Sequence, residues 1–434
     1  MKYFFAVSAI IISLSCHTIE ISSYMISQKD LYEIKKAFSD FKKITQKDDG
    51  KLWNYNLAGP ILLINENSKL VIANEPDEAG ALIEQDGIFL GELPKNLNPA
   101  NTAAYWNGKR WTMALLPLPD SIEERMELLI HESFHRIQPF IGFDSLYDIQ
   151  CNHLETKEGR IFLKLEMEAL RKALDSSNPI IHLHNALLFR KYRYQLFPNA
   201  KQAENSLEIN EGLAEYTGAI LSGRTEIDLH KHFISQISLL YEKQSFTRLF
   251  AYNTIPVYGY FMNKSDKKWN LKINKHTNLT DFITDFYQFH ITKIDTGLLS
   301  KISNDYNIQA IQEYECNREA LYLEKINYYK HFFFNESMLS IRLKNMNISF
   351  SPSNIFQIDT LGTLYPNLRI IDYWGILEVD SIGALISPKW DKVIISGPKA
   401  ITDTLIQGVG WRIFPKPGWH IKRKDYGFVL EKEN

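Results

Sequence analysis

Residues 121–135 read SIEERMELLIHESFH and predict an amphipathic helix. Ser121 and Glu124 have the spacing of an N-terminal capping box. Apolar residues then recur at helical spacing, and a proline follows shortly after the stretch, where a helix is expected to end. Residues four positions apart stack on one face of a helix, so His131 and His135 are expected to present two imidazoles side by side.

The segment from His131 to His135 also forms the pattern H-E-x-x-H, in which two histidines bind one zinc ion. Glu132 lies one step round the helix, beside the position that a catalytic zinc leaves open for water. There it can take a proton from that water and act as general base. We therefore predict a catalytic site with one Zn²⁺ per chain. The alternative is a coincidental match on a surface helix.

A third protein ligand is expected, because catalytic zinc usually takes three and keeps one position for water. A second helical stretch, at about 200–223, contains four glutamates spaced four, three and four apart. They should form one stripe, and they are Glu204, Glu208, Glu211 and Glu215. Such a stripe is usually a solvated acidic face. Here apolar residues cover much of the helix circumference, which predicts a buried helix whose carboxylates need a counter-charge such as a divalent metal.

Residues 210–215 read NEGLAE and follow the histidine pattern at a distance. Together the two patterns resemble the gluzincin metallopeptidases, which include thermolysin-like enzymes and the zinc aminopeptidases. The resemblance implies that Glu211 is the third zinc ligand, with Glu208 as second choice, and that Glu215 steadies the first histidine from outside. A ligating imidazole usually donates its other N–H to a carboxylate. The Gly-x-Met-Glu-Asn signature of zinc aminopeptidases does not occur in the sequence.

The resemblance implies hydrolysis of peptide bonds, in which the developing oxyanion needs a further hydrogen-bond donor. Gluzincins often use a Tyr or His that follows the third ligand. Residues 251–260 contain the candidates, and Pro256 and Gly259 favour a loop or the start of a helix there. We choose Tyr258, with Tyr252 as second choice. A packed aromatic is the alternative for each.

A strand for substrate binding is expected just before the histidine helix. The dipeptide Asn107-Gly108 predicts a two-residue hairpin turn between strands at Ala103–Trp106 and Lys109–Leu116. In gluzincins an edge strand beside the active-site helix binds the substrate backbone. The resemblance makes Trp111–Leu116 the candidate, which would hold a peptide by strand addition. An ordinary paired strand is the alternative.

The N-terminus has the features of a secretory signal. Lys2 precedes an apolar run, Tyr3–Leu14, that is too short to span a bilayer. Residues 13–16 read SLSC and resemble a bacterial lipoprotein signal that ends at a lipidated Cys16. We therefore predict an extracytoplasmic protein of the bacterial cell envelope, attached to a membrane by an N-terminal lipid anchor. An ordinary secretory signal with an incidental cysteine is the alternative.

Length and composition indicate a globular protein of two or three domains, since the chain has 434 residues and is 45% hydrophobic. A net charge of −2 offers no bulk attraction to nucleic acid. Cys151 and Cys316 either form a disulfide or remain free thiols. We predict an α+β fold with three parts. They are a signal peptide at 1–16, a zincin-like catalytic domain at 17–335 and a small all-β module at 336–434. The catalytic domain is expected to be a mixed sheet to about 119 and mainly helical from 120.

Two functions of different class follow from these patterns. The first is an envelope-anchored zinc metallopeptidase that acts on a peptide or protein substrate. The second is a non-catalytic lipoprotein on a zincin scaffold that binds metal or a partner through its β module. All the residues that the chemistry needs are present in the sequence, which favours the enzyme.

Overall fold

The computed structural model describes residues 26–433 except 96, 292–293, 336, 352–354, 359 and 425–426. The predicted signal peptide and Cys16 lie outside these residues. Within them the chain is α+β, with an N-terminal mixed sheet, a helical middle and a C-terminal part made of strands. This order agrees with the fold class predicted from the sequence.

The N-terminal part is one helix and one six-stranded sheet. Helix α1 spans Gln28–Asp48. The strands are β1 (Ile61–Ile64), β2 (Leu70–Ala73), β3 (Ile83–Gln85), β4 (Ile88–Glu92), β5 (Thr102–Trp106) and β6 (Lys109–Leu115). Their order is β3-β4-β2-β1-β6-β5. The sheet is mixed because β6 runs parallel to β1, whereas the other pairs are antiparallel.

The predicted hairpin joins β5 to β6 through Asn107 and Gly108. Their φ angles are 45° and 88°, the positive values that a two-residue hairpin turn favours. Strand β6 pairs with β1 on one side and with β5 on the other. The prediction that Trp111–Leu116 forms an edge strand is therefore wrong, and the alternative of an ordinary paired strand holds. The edge strand on this side of the sheet is β5, and the edge strand on the other side is β3.

The histidine pattern lies on helix α2 (Ile122–Ile137). Ser121 caps the helix, as predicted, because its hydroxyl accepts a hydrogen bond from the Glu124 backbone at 3.1 Å. The face that carries Phe134 is packed in the hydrophobic core. Ser133 lies 3.0 Å from Thr112 of β6 through their hydroxyls, which ties the helix to the sheet. The fold thereby fixes the helix on which both histidines sit.

Nine further helices form the middle of the described chain. They are α3 (Lys157–Asp175), α4 (Pro179–Leu196), α5 (Ala200–Leu207), α6 (Leu213–Leu221), α7 (Glu226–Tyr241), α8 (Ala251–Ser265), α9 (Leu279–Phe286), α10 (Thr296–Ser303) and α11 (Ile308–Asn335). A π-helical turn, Glu208–Gly212, joins α5 to α6. Such turns occur frequently at functional sites. The sequence predicted a regular helix across this segment.

Helix α8 replaces the loop or helix start expected around Pro256 and Gly259. Pro256 lies inside the helix. Residues 253–262 are all buried, so tertiary packing stabilises the helix although proline removes a backbone donor and disfavours helix interiors. This difference decides which tyrosine of the segment reaches the predicted site.

The C-terminal part contains thirteen described strands in two sheets. They are β7 (Met338–Arg342), β8 (Asn347–Phe350), β9 (Phe356–Ile358), β10 (Gly362–Tyr365), β11 (Leu368–Asp372), β12 (Gly375–Val379), β13 (Ala384–Ile386), β14 (Lys392–Ser396), β15 (Pro398–Ile401), β16 (Ile406–Gly408), β17 (Trp411–Pro415), β18 (Trp419–Lys424) and β19 (Gly427–Lys432). The orders are β18-β19-β7-β14-β13-β10-β9 and β15-β16-β17-β12-β11-β8. Residues of both sheets share one hydrophobic core, so the two sheets form one module.

Two remaining predictions concern cysteines and membranes. Cys151 is buried and Cys316 is exposed, and both are free thiols. The alternative of two free thiols therefore holds. No helix in the described part of the chain has the length and apolarity that crossing a bilayer requires.

Candidate metal centre

The two histidines of α2 and Glu211 of the π-helical turn converge on one point. Nε2 of His131 lies 3.1 Å from Nε2 of His135. Oε2 of Glu211 lies 3.6 Å from the first of these nitrogens and 3.4 Å from the second. Two imidazole nitrogens and one carboxylate oxygen form a donor set that suits a catalytic zinc ion. The structure thus brings together the three residues predicted as ligands.

The π-helical turn positions Glu211 because its backbone packs closely against α8. A Cβ atom at Gly212 would lie only 2.9 Å from the Cβ of Ile255, so only glycine fits without a shift. On the other side of the turn, the carbonyl of Asn210 accepts a hydrogen bond from Nε2 of Gln138 at 3.1 Å. The turn is therefore held from α8 and from the residue that follows α2.

Each histidine is oriented by a partner at its other ring nitrogen. Nδ1 of His131 lies 2.7 Å from Oε2 of Glu215, the residue predicted for this role. Nδ1 of His135 lies 2.8 Å from Oε1 of Gln138. Both contacts leave Nε2 of the ring directed at the point of convergence. The sequence analysis missed Gln138, although its position three residues after a histidine on a helix is a usable signal.

Glu132 is buried beside the two histidines. One of its carboxylate oxygens lies within 4.8 Å of the histidine ligand nitrogens. Its Oε2 has no hydrogen-bond partner among the described residues. Burial raises the pKa of Glu132. A buried carboxylate oxygen without a partner is costly, so this atom marks a place where a water molecule or a substrate group can bind.

Tyr252, the second choice, lies at the site. Its ring stacks on that of His131 with centroids 5.7 Å apart and an interplanar angle of 4°. Its hydroxyl donates to Oε2 of Glu211 at 2.6 Å. Burial, together with the charge of this carboxylate, holds the pKa of Tyr252 well above its usual range, so the phenol keeps its proton.

Tyr258 does not reach the site, and its prediction as the catalytic donor is wrong. It is fully buried, and its hydroxyl donates to Oε1 of Glu166 at 3.0 Å. Because the segment is a helix, residues six positions apart differ in direction by about 120°. Tyr252 and Tyr258 therefore face different surroundings, and the second is a packed aromatic.

Glu204 and Glu208 also lie away from the histidines. Arg190 holds Glu208 with two hydrogen bonds, of 2.7 and 3.0 Å, and all these atoms are buried. Arg193 holds Glu204 at 2.6 and 2.7 Å. The counter-charge for these two carboxylates is thus an arginine rather than a metal. Glu208, the second choice of ligand, is ruled out by this pairing.

Arg248 is a further residue at the site that the sequence analysis missed. Its Nη2 donates to Oε1 of Glu211 at 3.3 Å, and its Nη1 donates to Oδ2 of Asp148 at 2.6 Å. Oε2 of Glu211, the oxygen that faces the histidines, is left to them and to Tyr252. No local pattern marks this arginine in the sequence, because its role depends on the approach of two distant segments.

The charges of the three candidate ligands are coupled. Burial lowers the pKa of His131, but hydrogen bonds to Glu211 and Glu215 outweigh it and hold the pKa well above the usual range. Burial also lowers the pKa of His135, but the charge and the hydrogen bond of Glu211, together with the charge of Glu132, raise it above the usual value. Burial raises the pKa of Glu211, yet the two histidines hold it well below its usual value. The carboxylate is therefore ionised and ready to bind a cation.

The site opens into two cavities. One has a volume of about 360 Å³ and is lined by polar residues that include Arg110 and Asn210. The other has a volume of about 950 Å³ and extends toward Leu128 and His232. Both are lined by His131, so a substrate could reach the centre through either cavity.

Comparison with protein-family models, curated proteins and solved structures finds no match for this chain. The geometry of the site is therefore what bears on its function.

Proposed function

We propose that this protein is a zinc-dependent metallopeptidase of the gluzincin type, with a zincin-like catalytic domain. One observation carries the proposal. The Nε2 atoms of His131 and His135 and Oε2 of Glu211 converge within 3.6 Å, beside a buried carboxylate oxygen of Glu132 that has no partner among the described residues. Three ligands next to a free carboxylate on a cavity wall form the arrangement that metal-assisted hydrolysis needs.

The donor set fits zinc better than it fits Mg²⁺ or Ca²⁺. Imidazole nitrogen with one carboxylate suits Zn²⁺, whereas Mg²⁺ and Ca²⁺ prefer oxygen ligands alone. His131, His135 and Glu211 would hold the ion. When bound, zinc supplies a Lewis acid that polarises the scissile carbonyl and lowers the pKa of water.

The protein's own residues supply the proton transfers and the charge stabilisation. Glu132 accepts a proton from the attacking water and passes it to the leaving nitrogen, for which its raised pKa is favourable. Tyr252 keeps its proton and lines both cavities, so its hydroxyl could turn from Oε2 of Glu211, once a metal holds that oxygen, and donate to the developing oxyanion. Glu215 and Gln138 keep the two imidazoles in the orientation that leaves Nε2 free for the metal.

Strand β5 is the element proposed to bind the peptide substrate. Its residues Thr102 and Ala103 line the smaller cavity, together with Asn101 just before it. As the last strand of its sheet, it has one side with backbone groups that no strand pairs among the described residues. A peptide that adds to this edge would be held through its main chain.

The decisive experiment compares zinc content and proteolysis in the same purified sample. We expect one zinc ion per chain by mass spectrometry and cleavage of members of a peptide library. Glu132→Gln should retain zinc and lose proteolysis, because it removes only the proton acceptor. Glu123→Gln is the matched control, since Glu123 lies on the exposed side of the same helix and lines neither cavity.

The non-catalytic alternative predicts a different result in that experiment. Zinc would be bound at one per chain, but no peptide would be cleaved, and Glu132→Gln would change nothing. Absence of zinc from the protein, even after addition of the metal, would contradict the peptidase and also the metal-binding form of the alternative.

We also propose that the protein is attached to a membrane of the bacterial cell envelope, on an extracytoplasmic face, through lipid on Cys16. The proposal rests on the sequence pattern of residues 1–16 alone. Cys16→Ser should move the protein from the membrane fraction to the soluble fraction after cell lysis. Retention of this variant in the membrane fraction would contradict the lipid anchor.

A further inference from the structure

The C-terminal module forms one wall of the cavity that contains the metal centre. The cavity of about 950 Å³ is lined on one side by residues 99–101 and on the other by residues 349–351, with His131 and Glu132 in the same lining. Phe350 also lines the smaller cavity. It therefore lies where the two cavities meet, beside the candidate catalytic residues.

Both cavities border edges of β-sheets, because Thr102 and Ala103 of β5 line the smaller one and Ser349 and Phe350 of β8 line the larger one. Strand β5 is the last strand of the N-terminal sheet, and β8 is the last strand of one C-terminal sheet. In the described chain β8 pairs with β11 alone and β5 with β6 alone. An edge strand presents a row of backbone N–H and C=O groups without strand partners, so the two adjoining cavities border two such rows.

The two edges are joined near one end by side chains. Nδ2 of Asn98, just before β5, donates to Oδ1 of Asn347, the first residue of β8, at 3.2 Å. Arg369 of β11 contacts the same Asn98 and donates to the carbonyl of Lys95 at 3.2 Å. Two asparagine side chains joined in this way span roughly 10 Å between their Cα atoms at most. One strand inserted between two edges needs two strand spacings of about 4.8 Å, which is nearly the same distance.

We propose that the substrate is an extended polypeptide segment that inserts as a single strand between β5 and β8. This rests on the proposed peptidase function. In an extended strand successive backbone amides point to opposite sides in the plane of the sheet. Alternate amides would therefore bond to β5, and those between them to β8. Helical segments are excluded, because a helix is about 10–12 Å wide and its amides are already paired.

Phe350, the last residue of β8, is the side chain of the C-terminal module that would contact side chains of the substrate. Its ring is half-buried and packs edge-on against Tyr365 at 4.8 Å between centroids. This support holds the ring in the lining that Phe350 shares with His131 in both cavities. The C-terminal module would thus determine which substrates bind while contributing no group to the metal centre.

The test is a scan of backbone amides in a peptide bound to Glu132→Gln, which is expected to bind without cleaving. Each non-scissile amide near the cleaved bond is replaced in turn by an ester, which removes the N–H and adds no bulk. We expect the Kd to rise about three- to tenfold at every consecutive position, because each amide has a partner on one wall or the other. Increases at alternate positions only would show that β5 acts alone and would overturn the proposal.

Two variants test the contribution of the second wall directly. Phe350→Ala should raise the peptide Kd about tenfold while zinc content stays unchanged. Phe414→Ala is the matched control, because Phe414 is exposed on β17 of the same sheet and lines neither cavity. Equal Kd values for both variants would overturn the proposal, as would dimerisation of the chain that buries the two edges. Wild-type protein that binds the peptides without cleaving them would contradict the peptidase function alone.

Discussion

Oε2 of Glu215 lies 2.7 Å from Nδ1 of His131, and this contact directs the other ring nitrogen toward Glu211. The second histidine is oriented by a neutral amide instead, since Oε1 of Gln138 lies 2.8 Å from Nδ1 of His135. A carboxylate strengthens the basicity of an imidazole more than an amide does. The two histidines are therefore not equivalent, and variants of their partners should differ.

Removal of Glu215 should weaken zinc binding without abolishing it. We expect Glu215→Ala to lower the affinity for Zn²⁺ about 10–100-fold, the usual cost of losing a partner of a ligating histidine. Gln138→Ala should have a smaller effect, whereas Glu211→Ala should lose the metal. Affinities can be measured by competition with a chromogenic chelator. Equal, full retention of zinc in the Glu211 and Glu215 variants would contradict the assignment of the ligand.

Zinc binding should release protons at neutral pH. Burial lowers the pKa of His131 and His135, but neighbouring carboxylates, Glu211 first among them, raise both above the usual value, so the metal-free imidazoles keep their protons to a higher pH than free histidine does. The metal needs them neutral, so zinc affinity should rise with pH up to these pKa values and level off above them. Calorimetry in buffers of different ionisation enthalpy should detect on the order of one proton released per zinc ion bound.

The control for this titration is Glu215→Gln. It replaces a charged acceptor at Nδ1 of His131 by a neutral amide, which raises the pKa of His131 less, so fewer protons should be released at the same pH. Zinc affinity that is independent of pH between 6 and about 8 would contradict the coupling of these groups.

The sequence predicted correctly those parts of the fold and of the site that depend on local patterns. The helix cap at Ser121 and the turn at Asn107-Gly108 depend only on neighbouring residues. The convergence of His131 and His135 follows from helical spacing alone. The roles of Glu211 and Glu215 come from the resemblance to gluzincins. In that family the two sequence patterns lie on two helices that pack together, although they are distant in the chain.

The remaining errors arose where partners come from distant segments. The four glutamates form one stripe in the sequence, yet Arg190 of α4 pairs with Glu208 and leaves Glu211 to face the Nε2 atoms of the histidines. A regular helix was assumed there, whereas the π-helical turn changes the direction of the residues that follow it. Likewise, strand order decides that β5 rather than β6 is the sheet edge, and no local feature of Trp111–Leu116 reports that order.

The buried pairs around Arg190 should be essential for stability. Its guanidinium contacts Glu208 at 2.7 Å and Glu166 at 2.7 Å, and all three side chains are fully buried. Arg190→Ala leaves two buried carboxylates without this partner and should lower the free energy of unfolding by about 3–5 kcal/mol. Zinc affinity should fall as well, because the turn that carries Glu208 also carries Glu211. Urea denaturation of the metal-free protein measures the first effect.

A surface arginine gives the comparison for that measurement. Arg171 pairs with Glu168 at 2.6 Å but remains 31% exposed. Its replacement by alanine should cost less than about 1 kcal/mol, because water screens exposed ion pairs. Similar losses of stability in the two variants would contradict the role assigned to the buried network.

The tyrosine that stabilises the oxyanion can be identified by two parallel substitutions. Tyr252→Phe should retain zinc and lower kcat about 10²–10³-fold, because it removes a donor next to His131 and Glu211 without changing the ring. Tyr258→Phe removes a hydroxyl that donates to buried Glu166 at 3.0 Å. It should reduce stability by about 1 kcal/mol and leave kcat unchanged. Steady-state kinetics and zinc content measured on both proteins decide the matter, and a loss of kcat confined to Tyr258→Phe would reverse the assignment.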